Sequence, residues 1–146
     1  MEIFGVPETK NEDVLETVKA VGRAMDMNID NLMVDACHRL PKRPDQPHGG
    51  IIVKFVRRFD KEDFMFRRRV KRNLSTKHMG LSGENIIYIN ESLSPEKKKL
   101  LALSRNFKRE HGYKFLWVRN GVIKLRKSEG SNIYIINDSN DLRKLS

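Results

Sequence analysis

The apolar residues of this chain change their repeat several times, and the order of those changes limits the folds open to it. A strand shows apolar side chains at every second residue, an amphipathic helix at every third or fourth. Residues 1–6 alternate and run into Pro7, which reads as a short strand closed by a turn. From 11 to 27 the spacing is helical. Asn11 stands where a cap belongs, Glu12 and Asp13 favour the positive end of the dipole, and Val14, Val18, Val21 and Met25 make one stripe. Residues 32–40 and 49–56 return to strand spacing, split by the loop Pro41-Lys42-Arg43-Pro44-Asp45-Gln46-Pro47, whose prolines cannot donate to a ladder. In the later strand Ile51, Val53 and Phe55 share one face, while Gly50, Ile52 and Lys54 share the other. A second helix is expected behind an Asp60 cap, with Phe59 and Phe64 as a hydrophobic staple and Asp63 in the capping-box position. Its acidic first turn and its basic remainder, Arg67, Arg68, Arg69, Lys71 and Arg72, both suit the helix dipole. Residues 85–90 supply a fourth strand.

That order, strand-helix-strand-strand-helix-strand, is the split βαβ arrangement used by the RRM. The fold expected is therefore α+β, with an RRM-like βαββαβ domain at residues 1–92 and a small basic αβββα domain at 93–146. In the second domain Ser94-Pro95-Glu96 opens a helix, Leu100, Leu103 and Phe107 form its apolar stripe, and Gly112 stands at its C′ position. Strands at 113–119 and 122–127 meet at Asn120-Gly121, the strongest short hairpin signal, and a last strand at 133–136 leads into a short C-terminal helix.

Charge is unevenly placed along this frame. The chain has 29 Lys+Arg against 19 Asp+Glu, a net +10. Residues 1–38 hold three basic and eight acidic side chains, a net −5; residues 39–77 hold thirteen against four, +9; residues 93–146 hold thirteen against five, +8. A field divided this way steers polyanions to one side, because phosphate neutralisation dominates nucleic-acid affinity. A hydrophobic fraction of 38% is that of a globular chain, and no apolar run approaches the roughly 20 residues that cross a bilayer, so no membrane partner is expected. With one cysteine, Cys37, and no secretory leader, the expected compartment is cytoplasmic or nuclear. A chain that opens on its first strand reads as a piece of a longer protein whose upstream partners are missing.

No nucleophile elbow, phosphate-cradling Gly-rich loop, carboxylate pair or metal-spaced cluster is present, so neither catalysis nor a metal nor a cofactor is expected. The stretch His48-Gly49-Gly50-Ile51-Ile52-Val53-Lys54-Phe55 fits the third-strand frame of an RRM in outline. Gly50 and Ile52 take the places of its stacking aromatics, and Phe4 is assigned to the core, which leaves phosphate contact as the expected use of this sheet. The basic residues for that contact are Arg39, Lys42, Arg43, Lys54, Arg57 and Arg58 around the sheet edge, with Arg68 on the basic helix. Arg39 and Arg43 flank a proline-rich loop, so their charge reversal is expected to spare the fold. In the hairpin, a two-residue turn sets Arg119 opposite Val122 and Trp117 opposite Lys124. One face then holds Leu116, Val118, Ile123 and Leu125. The other holds Phe115, Trp117, Arg119, Lys124 and Arg126, rings flanked by cations, as a single-strand platform requires. The competing arrangement packs Phe115 and Trp117 beneath the C-terminal segment near Leu142.

The stretches Ile3-Phe4-Gly5-Val6-Pro7-Glu8, Cys37-His38-Arg39-Leu40-Pro41-Lys42, Ile51-Ile52-Val53-Lys54-Phe55 and Phe115-Leu116-Trp117-Val118-Arg119-Asn120-Gly121 resemble the baculovirus few-polyhedra (FP) family and its insect relatives. With Leu93-Ser94-Pro95-Glu96, the same order more distantly resembles the RNA-binding first-open-reading-frame proteins of LINE-type retrotransposons. The resemblance implies an RRM-like domain and a C-terminal domain that hold single-stranded RNA together, with Arg39 and the basic C-terminal residues as contacts. It also implies assembly through an upstream coiled coil. The partner expected is single-stranded RNA, with single-stranded DNA second. The alternative is a protein-interaction scaffold built on an RRM-like sheet that lacks its rings. The fragment itself is expected to be monomeric, its apolar positions being used up by two small cores.

Overall fold

In a computed structural model, which describes residues 1–146, four α-helices and two antiparallel sheets give an α+β architecture. The chain divides into two compact units, Met1–Asn90 and Glu91–Ser146. No helix is long and apolar enough to cross a membrane.

The first unit runs β1 (Glu2–Phe4), α1 (Val14–Ala24), β2 (Val34–Arg39), β3 (Ile51–Phe55), α2 (Arg58–Val70) and β4 (Tyr88–Asn90), with sheet order β2-β3-β1-β4. Asp13, not Asn11, starts α1: its carboxylate accepts from the Leu15 and Glu16 amides at 3.1 and 3.4 Å, while Asn11 sits in a left-handed turn at φ 59°. The helix also ends earlier than its periodicity suggests, because Asp26 turns left-handed at φ 60° and the Met27 amide folds back on Gly22 O at 2.8 Å. Leu32 and Met33 belong to a 3₁₀ turn (Asn31–Met33) capped by Asp30, which shortens β2. Residues 85–87 leave only a single bridge, Ser75 to Ile86, before β4 begins. The side chains of Ile3, Ile51, Val53 and Ile89 point to the core, where Val18, Val21 and Phe64 meet them.

Helix α2 departs most from the sequence pattern. It starts at Arg58, two residues before the expected cap, and so draws Asp60 into its first turn, where the carboxylate is buried with Arg57 Nε 3.3 Å away. Phe64 enters the core against Phe55, ring centroids 5.5 Å apart, but Phe59 is rotated onto the outer side and makes no staple. Phe66 and Val70 join it there. The two cores therefore do not use up the apolar residues, and the reasoning for a monomer loses its premise.

The second unit runs α3 (Pro95–Glu110), β5 (Phe115–Arg119), β6 (Val122–Arg126), β7 (Ile133–Ile136) and α4 (Ser139–Leu145), with sheet order β5-β6-β7. Ser94 Oγ accepts from the Lys97 amide at 3.2 Å and Pro95 takes the first helical position. The buried stripe of α3 is Leu100, Ser104 and Phe107, an i, i+4, i+7 row, and Leu103 is exposed beside it. Ser104 fits a closed site because its hydroxyl donates to Leu100 O at 2.8 Å. Ile123, Leu125, Ile136 and Leu142 complete this core, with Leu116 and Val118 packed against it.

Candidate nucleic-acid interface

The β5–β6 hairpin has the register that a two-residue turn demands: Phe115 pairs with Arg126, Leu116 with Leu125, Trp117 with Lys124, Val118 with Ile123, and Arg119 with Val122. Asn120 and Gly121 both adopt the left-handed region, at φ 53° and 73°, the backbone of a type I′ turn that favours this pair. The turn is held from outside the hairpin. The Glu91 carboxylate accepts the Asn120 amide at 2.7 Å and the Gly121 amide, and Lys97 Nζ donates to Gly121 O. Glu91 and Lys97 escape sequence reasoning, because neither lies in a motif that names a distant turn.

Alternation then sorts the side chains. Leu116, Val118, Ile123 and Leu125 face the helices, leaving Phe115, Trp117, Lys124 and Arg126 on the open face. Leu142 lies in the core on the opposite side, so neither ring packs beneath it. Strand β7 widens the open face, since Ile133 pairs with Arg126 and Ile135 with Lys124. Two parallel rows result, Phe115-Arg126-Ile133 and Trp117-Lys124-Ile135, each a ring, a cation and an exposed isoleucine. Arg126 Nε donates to Ser131 O at 3.0 Å, which fixes its guanidinium along the sheet. Arg119 is exposed at the strand end.

In the first unit the expected basic set separates by environment. Arg39 is not a surface contact. It shares the core face of β2 with Cys37, and its side chain and that of Glu12 are each only 7% exposed. All five guanidinium N–H groups are engaged. Nε donates to Glu12 Oε2 at 3.1 Å and Nη2 to Glu12 Oε1; Nη1 reaches Val6 O and Gly49 O, both at 2.8 Å, and Nη2 reaches Pro7 O at 3.2 Å. It ties the end of β1 to the start of β3 and has no donor left for RNA. Lys54, Arg57 and Arg58 are exposed but lie beside Asp35, Asp60 and Glu62 at 3.5, 3.3 and 3.2 Å. Lys42 and Arg43 stand on the exposed loop.

The arginine run of α2 also divides. Arg67 is tied down by Asp63 at 2.9 Å and by the carbonyls of Met25 and Asp26. Arg68, Arg69 and Arg72 instead line a cleft of about 560 Å³ with Asn73, Ile86 and Tyr88. Tyr88 has a neighbour that the sequence assigned to the core. Phe4 pairs with Tyr88 across β1 and β4 and lies on the face opposite Ile3, over Gly50, where a Cβ would stand 2.6 Å from its ring. The open sheet face thus carries two rings from its middle and edge strands, and Gly50 is what lets Phe4 lie flat.

Fold and surface together define a basic α+β protein of two antiparallel-sheet units, each with rings and cations on an open side. Residues 94–146, nearly the whole of the second unit, match the family model described as Baculovirus FP protein domain 2, which supports the baculovirus FP family for this chain. No curated protein matches it.

Proposed function

We propose that the chain is a non-catalytic module that binds single-stranded nucleic acid, RNA before DNA, and that its first unit is RRM-like, with the kinship to retrotransposon RNA-binding proteins that its motifs suggest. The observation that carries this reading is the pair of ring-cation-isoleucine rows on the sheet of the second unit. Strand spacing of about 4.8 Å sets each ring next to its cation, so a base stacked on Phe115 or Trp117 brings its phosphate toward Arg126 or Lys124. In the first unit the order β2-β3-β1-β4, the rings of Phe4 and Tyr88, and the Arg68, Arg69 and Arg72 cleft favour the same ligand. The scaffold alternative loses its main support, because the first sheet does not lack aromatics.

The test uses the one tryptophan of the chain as its own probe. Titration with a single-stranded oligoribonucleotide should quench Trp117, and affinity should fall steeply with added salt. Trp117→Ala should cost about 1 to 3 kcal/mol of binding, and Lys124→Glu should lower the salt slope by about one phosphate. If Lys124→Glu and Arg126→Glu leave affinity and slope unchanged in a folded protein, the platform does not bind RNA.

A further inference from the structure

The arginines of α2 and its flanks divide by what stands beside them. Arg57, Arg58 and Arg67 each have a carboxylate within 3.3 Å. Arg68 and Arg72 have neither an acid nor a hydrogen bond within the chain, and Arg69 has only the Phe66 ring, 5.8 Å from its guanidinium. These three line the cleft of about 560 Å³, and no acid lines it with them. Arg68 is half-buried there. A cation drawn partly out of water without a counter-charge is costly, and an anion in the cleft removes that cost. Arg68 and Arg72 bring two planar guanidinium forks to one cavity, and such forks match phosphate oxygens two at a time.

The rest of the lining says what the anion carries. Leu74 and Ile87 are buried, while Tyr88 is half exposed, an aromatic surface on which a base can stack beside the arginines. A peptide strand fits less well. The Thr76 amide donates to Asn85 O and the Ile87 amide to Leu74 O, both at 2.9 Å, so residues 74–76 already pair with this segment and leave no free row of backbone groups for an incoming strand. Charge distinguishes one phosphate from another. A phosphodiester inside a strand carries one negative charge, whereas a terminal phosphate carries about 1.5 to 2 at neutral pH and offers three free oxygens. Three guanidiniums without an acid match the second. We propose, resting on the nucleic-acid reading, that this cleft seats the phosphorylated end of an RNA strand, its terminal phosphate on Arg68 and Arg72 with Arg69 alongside, and its last base against Tyr88.

The test compares oligoribonucleotides of one sequence on the full chain, with a phosphate at the 5′ end, at the 3′ end or at neither. One phosphorylated strand should bind about tenfold more tightly than the bare one, the gain of a charge-assisted bidentate contact, and should shift the amide resonances of residues 68–73 and 86–88. Arg68→Gln with Arg72→Gln gives up no native contact, so the circular-dichroism spectrum should not change, while the strands should come within about twofold of each other. Free adenosine 5′-monophosphate has the phosphate and the ring without the strand, and should compete only at about a hundredfold higher concentration. Equal binding of all the strands overturns the proposal and leaves the nucleic-acid reading standing, whereas binding of none overturns both. A preference that survives the double substitution places the strand end elsewhere and also overturns it. Competition by adenosine 5′-monophosphate or by poly-glutamate at the concentration of the strand itself does so too, assigning the cleft to a free nucleotide or to an acidic peptide.

Discussion

Replacing Arg39 with methionine keeps much of the side-chain volume and removes every donor. Glu12 would then hold a buried carboxylate with no counter-charge, and the carbonyls of Val6, Pro7 and Gly49 would lose their N–H partners. Removing one member of a buried pair costs about 3 to 5 kcal/mol, mostly the penalty of the charge left behind. Against a total of about 5 to 15 kcal/mol for a domain, that leaves the first unit marginal or unfolded at ambient temperature. At about 4 to 8 °C per kcal/mol, its midpoint should fall by roughly 12 to 40 °C. Adding Glu12→Gln should recover part of the loss, because the orphaned charge disappears. Since Trp117 reports on the other unit, the assay is thermal unfolding followed through amide resonances of residues 1–90. Lys42→Glu and Arg43→Glu, on the exposed loop, serve as controls and should stay within about 0.5 kcal/mol. If Arg39→Met lies within about 1 kcal/mol of the parent, the network is surface decoration and this reasoning fails.

Two further outcomes follow from the geometry. Glu91→Gln leaves one carbonyl oxygen where two carboxylate oxygens hold the Asn120-Gly121 turn, so the second unit should lose about 1 to 2 kcal/mol, read by Trp117 fluorescence in urea; an unchanged midpoint would mean that the turn holds itself. Burial, and secondarily the charge of Asp13, push the Cys37 thiol above its ordinary pKa, so at pH 8 iodoacetamide should alkylate it more slowly than a free thiol. The sign for stability agrees: as pH rises, the unfolded thiol ionises first, and this contribution, full below the unfolded value, is lost as pH climbs through the folded one.

How far the sequence was legible depended on whether a feature was local. The Asn120-Gly121 turn fixes its own register, so every pair from Phe115–Arg126 to Arg119–Val122 could be read from the chain. The cap Ser94 and the strand parity of Ile51, Val53 and Phe55 were local in the same sense. Helix starts were not, because tertiary packing chose Asp13 over Asn11 and began α2 at Arg57, whose side chain caps nothing, in place of the chemically better cap Asp60. A three-residue shift in the start of α2, from an Asp60 cap to Arg57, accompanies the move of Phe59 from staple to surface. Arg39 was misplaced for another reason. Its parity with Cys37 put it on the core face, but an arginine there is tenable only with Glu12, 27 residues away, and nothing local announces that partner.

Composition had suggested that basic residues between 39 and 77 act together, and the structure gives that density three uses. Arg39 and Arg67 are spent on carboxylates and carbonyls and hold the first unit together. Lys54, Arg57 and Arg58 lie beside acids on the surface, where such pairs are worth about a kcal/mol or less and open readily to a competing phosphate. Lys42, Arg43, Arg68 and Arg72 make no ion pair within the chain, and the last two share their cleft with Tyr88. An unpaired arginine has no native contact to give up when it meets a phosphate, so it contributes more to binding than one that must first leave an acid. Affinity should therefore follow the unpaired cations rather than the net charge, and reversing Arg68 and Arg72 should weaken RNA binding more than reversing Arg57 and Arg58, although each double reversal changes the total charge equally. Filter binding of the two double variants at one salt concentration separates these cases, and equal losses would show that only the overall field matters.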